Sequence, residues 1–148
     1  MKSIVATLVI SFAVLAMTGC RLTRICNSDG GLEVDMREEG KSATRVDDEC
    51  FGNGLEVEET SLMRNDRGFL VCVVRVRNMR TDLNDMDRRD PFPFQYRFAW
   101  LDASGVELQP EASFWRRITL NGGAAESISS TAPSPEAARC VFRARHAR

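Results

Sequence analysis

Residues 94–101 read Phe94-Gln95-Tyr96-Arg97-Phe98-Ala99-Trp100-Leu101, and this stretch decides the fold. An aromatic residue stands at every second position of it, from Phe94 to Trp100. Successive side chains of a β-strand point to opposite faces, so the four aromatic side chains share one face. The pattern predicts a strand that is buried on one side and supplies the aromatic half of a core.

Short strands and turns continue on both sides of this stretch. Residues 102–105, Asp-Ala-Ser-Gly, form a turn signal in which Gly105 is free to adopt positive φ, and residues 106–108 are expected to return as a short strand. In 69–77, the apolar residues Cys72, Val74 and Val76 alternate with other side chains. Further strands are expected at 32–36 (weakly), 55–57, 114–120, 126–130 and 139–145, and one helical turn at 133–136.

Regularly spaced strands without helical periodicity predict an all-β, antiparallel β-sandwich of about seven strands. We expect three segments: a cleaved helical signal peptide at 1–19, a polar tether at 20–54 and the sandwich domain at 55–148.

The run from Tyr96 to Glu107 resembles the central motif of the YcfL-like family of small bacterial periplasmic lipoproteins, in which a Y-R-F-x-W strand meets a D-x-x-G turn. Asn78, Pro110, Gly122-Gly123 and Ala132-Pro133 also fit, and the resemblance spans about residues 55–145. It implies a lipid-anchored immunoglobulin-like sandwich of undefined function and carries over no catalytic residue. The chain departs from the family in its cysteine-bearing N-terminal segment and in its 79–93 loop.

The N-terminus reads as a lipoprotein signal. The apolar run 4–16 ends in Met17-Thr18-Gly19-Cys20, a lipobox that places Cys20 directly after the expected cleavage site. We expect the mature chain to begin at Cys20, with acyl chains on this residue holding it in the membrane. Arg21 favours the outer membrane, facing the periplasm. The alternative is an ordinary secretory signal that contains a cysteine.

Four further cysteines in an exported chain favour disulfides. Cys26 and Cys50 lie in polar sequence, and a bridge between them is our first choice. Cys72 and Cys140 lie in apolar strands, so they form either a bridge across the core or buried free thiols.

The net charge of −1 gives no basis for nucleic-acid binding. The charge is nevertheless uneven, because residues 29–59 hold eleven acidic residues and residues 111–148 hold six arginines against three glutamates. The two regions either complement each other or face different partners, and a solvated acidic face is the simpler interpretation.

Catalytic, cofactor and metal sites are not expected. The sequence has no G-x-S-x-G motif and no CxxC spacing, and its single histidine, His146, lies in a C-terminal tail that we expect to be frayed.

Trp115 and Arg117 are the candidate partner-binding residues. If Phe114, Ile118 and Leu120 face the core, then Trp115 and Arg117 point outward, and both residue types are frequent binding hot spots. The alternative is a bulge at Arg116 that returns Trp115 to the core. These residues favour a non-enzymatic module that docks an envelope protein or the cell-wall polymer. The alternative is a cell-envelope enzyme or the activating subunit of a cell-wall enzyme.

Overall fold

The computed structural model describes residues 31–38, 42–46, 51, 54–80 and 90–147. Its strands are β1 Gly31–Arg37, β2 Ser42–Val46, β3 Leu55–Arg64, β4 Leu70–Asn78, β5 Phe92–Leu101, β6 Arg116–Leu120, β7 Ala125–Thr131 and β8 Arg139–His146. One sheet has the strand order β2-β1-β8-β5-β6 and the other has the order β3-β4-β7. Every pairing is antiparallel, which confirms the predicted all-β sandwich.

The core lies between the inner faces of β4, β5 and β8. Strand β4 buries its alternating apolar residues, as its sequence pattern predicts. The rings of β5 form a continuous row, in which Tyr96 lies 6.3 Å from Phe94 and 6.1 Å from Phe98. Phe142 of β8 packs against the same row, 5.2 Å from Phe98. The aromatic half of the core is therefore confirmed.

Trp100 connects the two sheets near the end of β5. Its side chain is 5% exposed, and its indole Nε1 donates a hydrogen bond to the Ser130 hydroxyl of β7 at 3.4 Å. This contact shows that β7 lies opposite β5. Strand β6 is at the edge of the five-stranded sheet, and Leu120 at its end is buried in the core.

Cys72 and Cys140 meet at the centre of the sandwich as free, fully buried thiols. Cys72 donates to the Met36 sulfur at 3.5 Å and also interacts with the Cys140 thiol. Of the two outcomes that the sequence left open, the structure has the buried thiols and not the bridge. Cys20, Cys26 and Cys50 lie outside the described residues.

The N-terminal segment contributes two strands to the five-stranded sheet. β1 pairs with β8 over its whole length, from Gly31 opposite Arg145 to Arg37 opposite Arg139, and β2 pairs with β1. The sandwich thus includes residues that precede position 55, where we expected it to begin. The sequence does not reveal β2, because its described side chains are exposed and show no apolar alternation.

Two local predictions are wrong. Residues 106–108 form a single bridge, Leu101 opposite Glu107, because the Asp102 carboxylate accepts hydrogen bonds from the Ser104 and Val106 backbone N–H groups and holds a turn. Gly105 does adopt positive φ, 87°, in this turn. Residues 133–136 form bends and turns instead of a helical turn, because Pro135 disfavours the α-helical conformation at Ser134.

Candidate functional site

The outer face of the five-stranded sheet carries two rows of polar side chains that cross neighbouring strands. In the first row, Gln95 of β5 stands between Arg117 of β6 and Arg145 of β8. In the second row, Arg97 of β5 stands opposite Arg143 of β8. These positions alternate with core residues of the same strands, so their side chains point away from the three-stranded sheet. We call this surface, with Trp115 beside it, the basic face.

Trp115 lies on the basic face. It immediately precedes β6 and is partly exposed, with the guanidinium of Arg145 3.9 Å from its ring centroid and that of Arg97 at 5.3 Å. In such cation–π contacts the negative face of the indole ring attracts the guanidinium groups. Arg117 is exposed two residues further along. The structure thus brings the two sequence candidates together on one surface.

Phe114 does not face the core as expected. It is 60% exposed, and the guanidinium of Arg116 lies 5.0 Å from its ring centroid. Phe114 precedes β6 and lies outside the pairing of β5 with β6, which ends at Arg116. A cleft of about 170 Å³ opens there, and its lining includes Phe98, Trp100, Leu108, Arg116 and Ser130.

Among the described residues, carboxylates of β1 neutralise the β8 side of the basic face. Glu33 of β1 pairs with Arg143 at 2.8 Å, and Asp35 of β1 pairs with Arg139 at 2.5 Å. The hydrogen bonds that Arg139 donates to the Asp35 carboxylate raise the pKa of Arg139. These pairs show that the acidic N-terminal region and the arginine-rich C-terminal region complement each other at β1 and β8.

The arginines around Trp115 have no such partners among the described residues. No described carboxylate lies within salt-bridge distance of Arg97, Arg117 or Arg145, and Arg145 donates instead to the neutral Gln95 oxygen at 3.1 Å. The Arg97 Nε is buried without a hydrogen-bond partner in the described part of the chain. Like charges directly opposite each other on adjacent strands, as in Arg97 and Arg143, destabilise a sheet. This part of the face therefore carries positive charge that no described carboxylate neutralises.

Among the described residues we find no other candidate for a catalytic or metal-binding site. Within those residues no group of three or more His, Cys, Asp or Glu side chains could hold a metal ion. His146 lies within β8 and contacts the rings of Phe51 at 5.0 Å and Phe92 at 6.0 Å, so the expectation of a frayed tail is wrong. In the same residues we find no helix with the length and apolar character of a membrane span.

Comparison with known protein families identifies the family of this chain. A family model described as "Protein of unknown function (DUF1425)" matches residues 42–146. The chain belongs to the DUF1425 family. No curated protein matches it.

Two solved structures are similar to this DUF1425 chain. A crystal structure of a DUF1425 family member from Shewanella sp. pv-4 is 19% identical with a TM-score of 0.53, and the match covers 84% of this chain and 95% of that one. The crystal structure of Campylobacter jejuni cj0090 is 16% identical with a TM-score of 0.50, covering 62% of this chain and 85% of that one. At these identities the likeness shows the fold alone.

Sequence reasoning missed Arg97 and Arg145 as members of the candidate site. The sequence did contain a signal for these arginines, which is their alternation along the strands. Three arginines of β8 share one face, namely Arg139, Arg143 and Arg145, and Arg97 occupies an outward position in β5. The sequence does not reveal that β5 pairs with β8. This pairing brings together side chains from distant parts of the chain.

Proposed function

We propose that this DUF1425 protein is a lipid-anchored bacterial envelope protein that works as a non-enzymatic docking module, and that the basic face is its docking surface. The observation that carries the proposal is the arrangement of Trp115, which lies against Arg145 and Arg97 beside the exposed Arg117. Trp and Arg dominate the energetics of binding surfaces. A guanidinium already supported by an aromatic ring also loses less conformational freedom when it binds.

The proposed anchor is Cys20, at the end of the lipobox, with the sandwich on the periplasmic side of the outer membrane. The resemblance to the YcfL-like lipoproteins supports this location. An anchor raises the effective concentration of the domain at envelope partners, so modest intrinsic affinity suffices for docking.

The test is crosslinking in native envelopes at equal surface levels of protein. The variant Trp115→Ala/Arg117→Ala is expected to give at least about tenfold less crosslinked product than the wild type. The reason is that hot-spot truncations typically cost about 2 kcal/mol or more of binding free energy. The control is Met63→Ala, which changes a side chain that is 56% exposed on β3 of the other sheet.

The control is expected to retain the crosslinked product of the wild type. Thermal unfolding of both variants shows whether the domain is intact. Equal crosslinking by a folded double variant and by the wild type, to lipids as well as to proteins, would contradict the proposal.

A further inference from the structure

Within the part of the chain that the structure describes, the basic face carries more positive charge than the carboxylates on the same sheet balance. Among the described residues, the outward arginines of this sheet are Arg37, Arg45, Arg97, Arg117, Arg139, Arg143 and Arg145, and the outward carboxylates are Glu33 and Asp35. The carboxylates lie on β1 and pair with Arg143 and Arg139. The surplus charge is therefore concentrated on β6, β5 and the adjoining end of β8, around Trp115.

The chemistry of this surface favours an anion with oxygen donors. A guanidinium group matches phosphate and carboxylate oxygens with two parallel hydrogen bonds, whereas an ammonium group acts as a point charge. The basic residues here are all arginines, and the only lysines of the chain are Lys2 and Lys41. Because arginines already lie over the Trp115 ring, the indole is not a free stacking platform for a sugar.

The topology favours the membrane as the source of that anion. Gly31, where β1 begins, pairs with Arg145 and so lies in the same cross-strand row as Gln95 and Arg117. The chain that leads back to Cys20 thus leaves the sheet beside these arginines. Residues 21–30 span at most about 35 Å when fully extended. An acylated Cys20 would therefore keep this end of the sheet close to the lipid headgroups.

We infer that the basic face lies against the phosphate groups of anionic lipids, in the same membrane that the proposed acyl chains enter. This inference rests on the proposed docking function and names the partner of the same surface. The sheet face is broad enough to meet several headgroups at once, and tryptophan favours the membrane–water interface. Each arginine near an anionic surface contributes about a fivefold gain in association, which salt weakens.

The experiment uses the full-length protein, purified in detergent and reconstituted into vesicles. One set contains phosphatidylcholine alone, and the other contains about one quarter phosphatidylglycerol. A trace of phosphatidylcholine that carries a spin label on its headgroup quenches tryptophans near the interface. Trp100 is 5% exposed in the core, so Trp115 supplies the change in signal, and Trp115→Phe checks this assignment.

We expect about twofold stronger quenching in the anionic vesicles than in phosphatidylcholine, falling to the phosphatidylcholine level at about 0.5 M salt. Arg117→Glu is expected to remove the difference. Arg67→Glu is the matched control, because it makes the same charge change at an exposed position in the turn between β3 and β4, and it is expected to behave as the wild type.

Equal quenching in both vesicle types overturns the inference. If Trp115→Ala/Arg117→Ala still loses a crosslinked envelope protein in that case, the docking function stands and the partner is a protein. If the crosslinking is also unchanged, the docking function fails as well. Loss of the quenching difference on adding inorganic phosphate at constant ionic strength would also overturn the inference, because it assigns the site to a soluble anion.

Discussion

The Asn78 side chain links three segments of the backbone by hydrogen bonds. Among the described residues it is the one polar side chain that is fully buried. Its Nδ2 donates to the backbone oxygens of Asp90 and Leu120, both at 2.8 Å, and its Oδ1 accepts from the Arg80 N–H. All of these polar groups are satisfied, so the burial of Asn78 costs little.

Cys140 makes the stability of the domain depend on pH. Burial raises the pKa of this thiol above its ordinary value of 9.0, and the neighbouring Cys72 thiol adds to the shift. In the folded protein Cys140 keeps its proton at a pH where the unfolded chain releases it. The stabilising effect is therefore complete below about pH 9 and decreases as the pH rises further.

We predict that the free energy of unfolding of the reduced protein falls with a slope of up to about 1.4 kcal/mol per pH unit from this thiol above about pH 9. Urea titrations between about pH 8 and pH 10.5 measure the slope. The Cys140→Ala variant lacks this thiol, so its slope is expected to be shallower. Identical slopes in the two proteins would show that Cys140 does not titrate in this way.

At the scale of single elements, the sequence predicted the strands whose pattern depends on burial. β4 and β5 alternate because one face of each meets the core, and that pattern is visible in the chain. β2 was missed because its described side chains are exposed and its pairing with β1 depends on backbone hydrogen bonds. Residues 106–108 do not form the expected strand, because the Asp102 carboxylate accepts hydrogen bonds from the Ser104 and Val106 backbone N–H groups.

The pair Trp100 and Phe114 tests the placement of β5 and β6. Trp100→Ala is expected to cost about 3 to 5 kcal/mol of unfolding free energy, because it removes a buried aromatic side chain. Phe114→Ala is expected to cost less than about 1 kcal/mol, since Phe114 is 60% exposed. Denaturant unfolding of both variants measures the difference, and similar losses would mean that Phe114 is in the core after all.

The candidate site combines residues from several strands, and the sequence predicted only some of these residues. Trp115 and Arg117 lie close together in the chain, so their shared outward parity could be predicted. Arg97 and Arg145 join them through the pairing of β5 with β8, which links distant segments. A sequence pattern within one strand contains no information about which strand will be its neighbour.

For the whole molecule, the proposed anchor predicts a defined processing defect. Cys20 is the residue that follows the apolar run and the small residues of the lipobox, so Cys20→Ser is expected to leave unprocessed precursor and to abolish acyl labelling. Metabolic labelling with a fatty acid and the electrophoretic mobility of the protein measure both effects. Cys26→Ser is the control and should be labelled normally. Normal labelling of Cys20→Ser would mean that the anchor is elsewhere.

The most direct test of docking is hydroxyl-radical footprinting of the protein in native envelopes and after purification. We predict that Trp115 is oxidised in the purified protein and at least about threefold less in envelopes, because a bound partner excludes solvent from a hot spot. Met63, 56% exposed on the other sheet, provides the internal reference and is expected to be oxidised equally in both samples. Equal oxidation of Trp115 in envelopes and in the purified protein would contradict the claim that the basic face is the docking surface.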